Sequence, residues 1–321
     1  MQFGIFAGLT TCALWGLTFV AAGVVEPFSV WDLTIARYGV FGVACAVLMF
    51  WRRFRPVGLP FPRLATGLFL GATGHVGYFV CVAFATTLSG AAIPPIIIGT
   101  MPVLLAIIAN RRDHSAPWRS LILPLALIAT GVGIINAATI NEAPARDIYP
   151  ILLGILASVT ALAIWIVYGL VNASVMRAKN APDALQWTGL QGLGAAIGGL
   201  MLLPLASFET VNTVSTADIY NFAGWALLMG VAGSWLATCC WVVASRRLPL
   251  AFSAQLIVAE TIFGLGYGFV FEGRGPSVAE TIGALLQIIG VCSAINVFRK
   301  FAQPTADEQP LPAAKEANPA I

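Results

Sequence analysis

The sequence predicts an all-α membrane protein: ten transmembrane helices arranged as two inverted five-helix repeats, with both termini cytoplasmic. Three observations carry that expectation. Apolar residues make up 59% of the chain and charged residues 10%, with mean hydropathy +0.87, against about 25% charge in soluble domains. Ten stretches reach the roughly 20 mostly apolar residues that one span needs. The chain also repeats itself after about 160 residues.

The expected spans are residues 3–22, 31–50, 63–84, 91–110, 119–138, 148–172, 184–206, 221–243, 249–271 and 277–298. They show no strand alternation, so they read as helices rather than barrel strands. The first could pass for a signal peptide, but no Lys or Arg precedes its apolar run, as a signal peptide would normally show. It is therefore read as a span. Lys and Arg then fall on one side: Arg52, Arg53, Arg55 and Arg63; Arg111, Arg112 and Arg119; Arg177 and Lys179; Arg246 and Arg247; Arg299, Lys300 and Lys315. The other side has only Arg146 and Arg274, and Arg37 lies inside a span. The positive-inside rule places the termini in the cytoplasm. Trp31, Trp51, Trp118, Trp187 and Trp225 fall near span ends, as an aromatic belt would. Six cysteines lie in apolar runs without metal spacing and read as packing residues. Residues 299–321 form a polar, Pro- and Ala-rich tail, expected to be disordered.

The repeat is visible in three places. GATGHVGYFVCVAFA (71–85) lies on GVAGSWLATCCWVVA (230–244) at a shift of 159. PIIIGTMPVLLAII lies on QLIVAETIFGLGYG at a shift of 160, and ALWGLTFV on AIWIVYGL at a shift of 150, pairing Trp15 with Trp165. Residues 1–138 and 148–298 are thus expected to be two five-helix repeats. Five is odd, so the copies insert oppositely. Such repeats typify secondary transporters, whose substrate site lies near the midplane between the halves.

Particular segments resemble a known family. ALWGLTFVAAG, DLTIARYGVFG and VFEGRGPSVAETIGALLQIIGV resemble the drug/metabolite transporter (DMT) superfamily, in its EamA-type ten-helix branch. Arg37-Tyr38 matches the family's Arg-aromatic pair, Glu260 its glutamate in span nine, and Glu272-Gly273-Arg274 its turn before span ten. Thr261 stands where the family carries Pro, so the resemblance alone does not imply a helix break there. It implies an exporter in a bacterial inner membrane, most similar to amino-acid exporters, the aromatic ones above all.

Helical spacing supplies the candidate site. Gly71, Gly74, His75 and Tyr78 share one face of span three; Gly230, Gly233, Ser234, Ala237 and Trp241 share the matching face of span eight. His75 and Ser234 are at mid-span, where a polar group either bonds a neighbouring helix or meets substrate. Trp15, Tyr78, Trp165 and Trp241 either pack between helices or line a path for flat, apolar ligands with a polar end. The inverted repeat sets Trp15 and Trp165 on opposite sides of the midplane. Pro94, Pro95 and Pro102 disturb span four, bringing Pro95 and Met101 among the candidate substrate contacts. Glu260, opposite Thr100 in the repeat, could bind a substrate ammonium, couple export to protons, or bond a neighbouring helix. Arg37 lies about 9 Å inside span two at 1.5 Å per residue. It is expected to form a structural ion pair rather than to bind a carboxylate.

The functional expectation is a secondary transporter exporting amino acids with aromatic or apolar side chains by alternating access. A multidrug exporter and a nucleotide-sugar or other metabolite carrier are the alternatives within that class. No P-loop is present, so ATP is not expected to drive it. An intramembrane hydrolase built on a Ser234-His75 dyad and a channel are the alternatives from other classes. No cofactor, metal or nucleic acid is expected. The partners are a small-molecule substrate and the bilayer, and the oligomeric state is left open.

Overall fold

The computed structural model describes residues 1–89, 93–141, 148–207 and 213–301. The tail beyond 301, and the connection holding Arg146, lie outside the described residues. The described chain is helical with no strands. Its helices are α1 (Gln2–Gly16), α2 (Thr18–Val24), α3 (Val30–Leu48), α4 (Phe61–Leu70), α5 (Tyr78–Ser89), α6 (Ile93–Ile98), α7 (Met101–Asp113), α8 (Trp118–Asn141), α9 (Ile148–Met176), α10 (Ala184–Leu200), α11 (Thr216–Gly230), α12 (Ala237–Arg247), α13 (Leu250–Leu256), α14 (Val258–Glu272) and α15 (Val278–Phe301).

Among the described residues seven helical stretches are long and apolar enough to cross a membrane: Val30–Leu48, Phe61–Ser89, Trp118–Ala138, Ile148–Met176, Thr216–Arg247, Leu250–Phe271 and Val278–Phe301. The other three expected spans are shorter as helices. The first is divided at Leu17 into helices of 15 and 7 residues. The fourth is divided at residues 99–100, and the seventh is a 17-residue helix. Polarity is distributed for a lipid surround. Phe6, Val43, Phe69, Leu156 and Val270 face outward, while Asn172, Gln191, Gln255 and Gln287 are fully buried. Polar side chains inside and apolar ones outside suit a lipid-facing exterior.

The irregularities of the helices have local causes. Pro102 begins α7 in its first turn, where a missing N–H costs nothing. The division between α13 and α14 has no proline. Ile257 takes φ −57 and ψ −26, a 3-10-like turn, and the Glu260 N–H bonds the Ile257 carbonyl at 2.9 Å. The Leu256 carbonyl accepts instead from the Cys12 thiol at 3.2 Å. Leu17 makes the same tightened turn, with φ −58 and ψ −23. Two stretches widen rather than tighten. Gly71–Gly77 and Val231–Leu236 are π-helical, a form that recurs at functional sites.

Packing follows a pattern of pairs. α8 lies on α15, α3 on α10, and α7 on α13. α5 lies on α9 and α1 on α12; α1 also meets α14, and α6 meets α9. One belt residue departs from expectation. Trp187 is fully buried because its indole N–H donates to the Asn172 side-chain oxygen at 2.8 Å, which draws it into the helix interface.

Candidate functional site

Four of the sequence-selected aromatics meet at the centre. Trp15 comes from α1, Tyr78 from the end of the first π-turn, Trp165 from α9 and Trp241 from α12. The Trp15 ring centroid is 5.3 Å from that of Trp165 and 5.8 Å from that of Trp241. Trp165 lies 5.7 Å from Tyr78, 6.5 Å from Trp241 and 4.6 Å from Tyr168, stacked on the last. Trp15 and Trp165 are therefore in edge-to-face contact. The rings bring apolar faces from four separate helices into one cage, and the buried Trp241 indole N–H has no hydrogen-bond partner among the described residues.

His75 is buried and sits beside this cage, not in it. Its ring is 6.1 Å from Tyr38, 5.9 Å from Phe41 and 5.6 Å from Tyr168, and its buried Nε2 lies near the Gln191 side chain without a well-formed hydrogen bond among the described residues. Gly74 makes the Tyr168 contact possible, because a Cβ there would overlap the tyrosine ring. Ala237 is buried, and its carbonyl accepts from the Thr11 hydroxyl at 3.1 Å. Met101 is buried in the main core. Pro95 lies in α6; its side chain falls outside the described ones.

Arg37 departs from the expected ion pair. Its Nε donates to Ser234 Oγ at 2.8 Å, Nη2 to the Gly233 carbonyl at 3.0 Å and Nη1 to Thr18 Oγ1 at 3.3 Å. The guanidinium thus bridges α3, the second π-turn and α2. A widened turn leaves a carbonyl open to an outside donor, and Arg37 supplies one to Gly233. Ser234 is committed to Arg37 and makes no hydrogen bond with His75, so the nucleophile-base geometry of a hydrolase is absent from this pair. A cavity of about 20 Å³ lies against Arg37, Thr18, Thr34 and Tyr38, room for one water.

Glu260 stands in the first turn of α14. Its backbone carbonyl is close to Gly16, one residue from Trp15. It is half-buried, and its carboxylate makes no hydrogen bond or ion pair among the described residues. It is close enough to Arg37, Tyr78 and Cys12 to interact with them electrostatically. Sequence reasoning passed over a buried polar chain behind the cage. Tyr168 donates to Gln191 at 2.8 Å, and Gln191 to Asn172 at 3.3 Å. Asn172 donates to Ser245 at 3.2 Å. The available signal was the isolated Asn and Gln within apolar runs.

Comparison with known proteins agrees with this architecture. Residues 2–137 match the EamA-like transporter family. The chain is 29% identical over 306 residues to "Inner membrane protein YtfF" of Escherichia coli (strain K12), covering 91% of this chain and 95% of that one. A crystal structure of a protein 18% identical in sequence superposes with a TM-score of 0.70, covering 94% of this chain and 100% of the other. That last similarity concerns the fold alone.

Proposed function

From the match of residues 2–137 to the EamA-like transporter family we propose that the protein is a membrane transporter that exports amino acids with aromatic or apolar side chains. Transport is secondary, by alternating access between two inverted five-helix halves in the inner membrane, with both termini cytoplasmic. The observation that carries the substrate reading is the cage of Trp15, Tyr78, Trp165 and Trp241 beside the unpaired carboxylate of Glu260. Stacked faces favour a flat apolar side chain, and the carboxylate favours a cationic group at its end.

Several features support the two-half reading. The two π-turns fall at the shift that aligns the sequence repeats. His114 and Gly273, which close α7 and α14 in the left-handed conformation, are separated by that same shift. Two helix pairs exchange when each half is replaced by the other: α1 on α12 becomes α9 on α5, and α1 on α14 becomes α9 on α7. The inner-membrane assignment follows the similarity to YtfF.

The test is efflux from proteoliposomes loaded with labelled phenylalanine, tryptophan, threonine and a cationic dye, with and without a pH gradient. Saturable efflux of phenylalanine and tryptophan, faster than threonine, is expected. Efflux of both no faster than from protein-free vesicles would contradict the proposal, and efflux of the dye alone would transfer it to a multidrug exporter.

A further inference from the structure

We infer that the cavity beside Arg37 is a binding site for one small monatomic anion of the chloride class, held by the guanidinium and the Thr18 hydroxyl. It is a second site, apart from the aromatic cage, and it does not depend on which substrate the protein carries.

Arg37 is buried at 8% exposure inside the helix bundle, where an unneutralised charge is costly. The acid nearest to it in sequence, Asp32, is committed elsewhere. Asp32 accepts from the Ser29 N–H and hydroxyl at 2.9 and 2.7 Å and from the Ser207 N–H at 2.8 Å. Glu260 makes no ion pair with Arg37 among the described residues and does not line the cavity. The acceptors that Arg37 has, Ser234, Gly233 and Thr18, are neutral. So is the Tyr38 ring, whose centroid is 5.3 Å from the guanidinium carbon.

The cavity supplies what a small anion needs. Its volume is about 20 Å³, which suits one water or a single ion of similar size. Its wall carries a guanidinium and hydroxyls but no carboxylate. A guanidinium has five N–H donors. Nε gives its own to Ser234, while Nη1 and Nη2 each give one, to Thr18 and Gly233. Each Nη therefore keeps one N–H. Thr18 Oγ1 accepts from Nη1, and its O–H has no acceptor among the described residues. The rest of the wall is mostly apolar, with Ala21, Leu33 and Phe79, and a low-dielectric surround strengthens the attraction. None of the four cage rings lines the cavity. A molecule seated in the cage does not fill it, so the occupant is a separate ion rather than a substrate's own carboxylate.

The experiment follows the chlorine magnetic-resonance line width of sodium chloride mixed with the purified protein in detergent, at an ionic strength fixed with sodium gluconate. Saturable broadening is expected in the parent, reversed by bromide but not by sulfate. The melting temperature should be about 2 °C or more higher in chloride than in gluconate. Ala21→Leu, which fills the cavity, should abolish both effects. Thr18→Val, which removes the hydroxyl, should weaken chloride binding by about tenfold. No saturable broadening in the parent would overturn the inference and leave the cavity to water. Reversal by sulfate as readily as by bromide would overturn it by placing the ion on the surface. Undiminished broadening in a folded Ala21→Leu or Thr18→Val protein would overturn it by placing the ion elsewhere. Loss of broadening on adding phenylalanine would give the position to the substrate's carboxylate and overturn it as well. None of these readouts requires transport, so a failed efflux assay and a failed anion site are told apart.

Discussion

Arg37 is held by three acceptors from two neighbouring segments, and that makes it a rivet between α3 and the second π-turn. Ser234→Ala should leave a buried guanidinium N–H without its acceptor. A loss of about 1 kcal/mol is expected, read as a lower unfolding temperature in detergent; an unchanged temperature would show that water replaces the hydroxyl. The aromatics Trp15, Tyr78, Trp165 and Trp241 were legible because helical spacing and the repeat both select them. The partner of Arg37 was not. Whether a buried arginine meets a carboxylate or a serine is decided by how separate helices dock, and the sequence of α3 holds no trace of that. Asn172 and Gln191 escaped for a related reason: each looks like an isolated polar residue until Tyr168 and Trp187 are brought against them.

The elements that shape the site are the irregular ones. Gly71 opens the first π-turn, and a Cβ on it would overlap the Gln191 carbonyl oxygen of α10. Gly71→Ala should therefore push α4 from α10 and cost about 1–3 kcal/mol. Gly266→Ala, with nothing within 4 Å of the added carbon, should be tolerated. Comparing the two melting temperatures checks the point, and equal temperatures would contradict it. Proline announced the interruption between α6 and α7. Nothing announced those at Leu17 and Ile257, because a single tightened turn needs no special residue. Their consequence is a freed carbonyl, which the Cys12 thiol satisfies in one case. Cysteine read as packing is thus also a donor.

At the scale of the whole molecule, the basic end is tied together across both halves of the sequence. Arg177, just beyond α9, donates to Asp113 of α7 at 2.7 Å and to the Ser245 and Leu248 carbonyls at 3.2 and 3.1 Å. Burial pushes the Asp113 carboxyl up, but Arg112 and Arg177 outweigh it and hold the group below its usual range. A depressed carboxyl stabilises the fold above the ordinary carboxylate range, and the contribution is lost as pH falls through the folded value. Asp113→Asn should cost about 1 kcal/mol, the screened value of a partly exposed pair. The cost should be seen in melts at neutral pH and shrink in acid; a cost independent of pH would contradict the ion-pair origin. That the chain is helical and apolar was legible from hydropathy, and of the ten expected spans seven are single helical stretches long and apolar enough to cross a membrane among the described residues. Three of them fall short as single helices because two are interrupted and one is brief, features that average hydropathy does not register.

The central claim is that the stacked rings around Trp165 select what crosses the membrane. The direct measurement is the ratio of phenylalanine to threonine efflux rates in proteoliposomes containing the parent protein or Trp165→Ala, at matched protein content. The account predicts that the ratio falls by about tenfold or more, since one stacked aromatic contributes about 0.5–1.5 kcal/mol beyond its buried area and its ring also carries apolar contact. A variant that remains folded and keeps the parental ratio would contradict it.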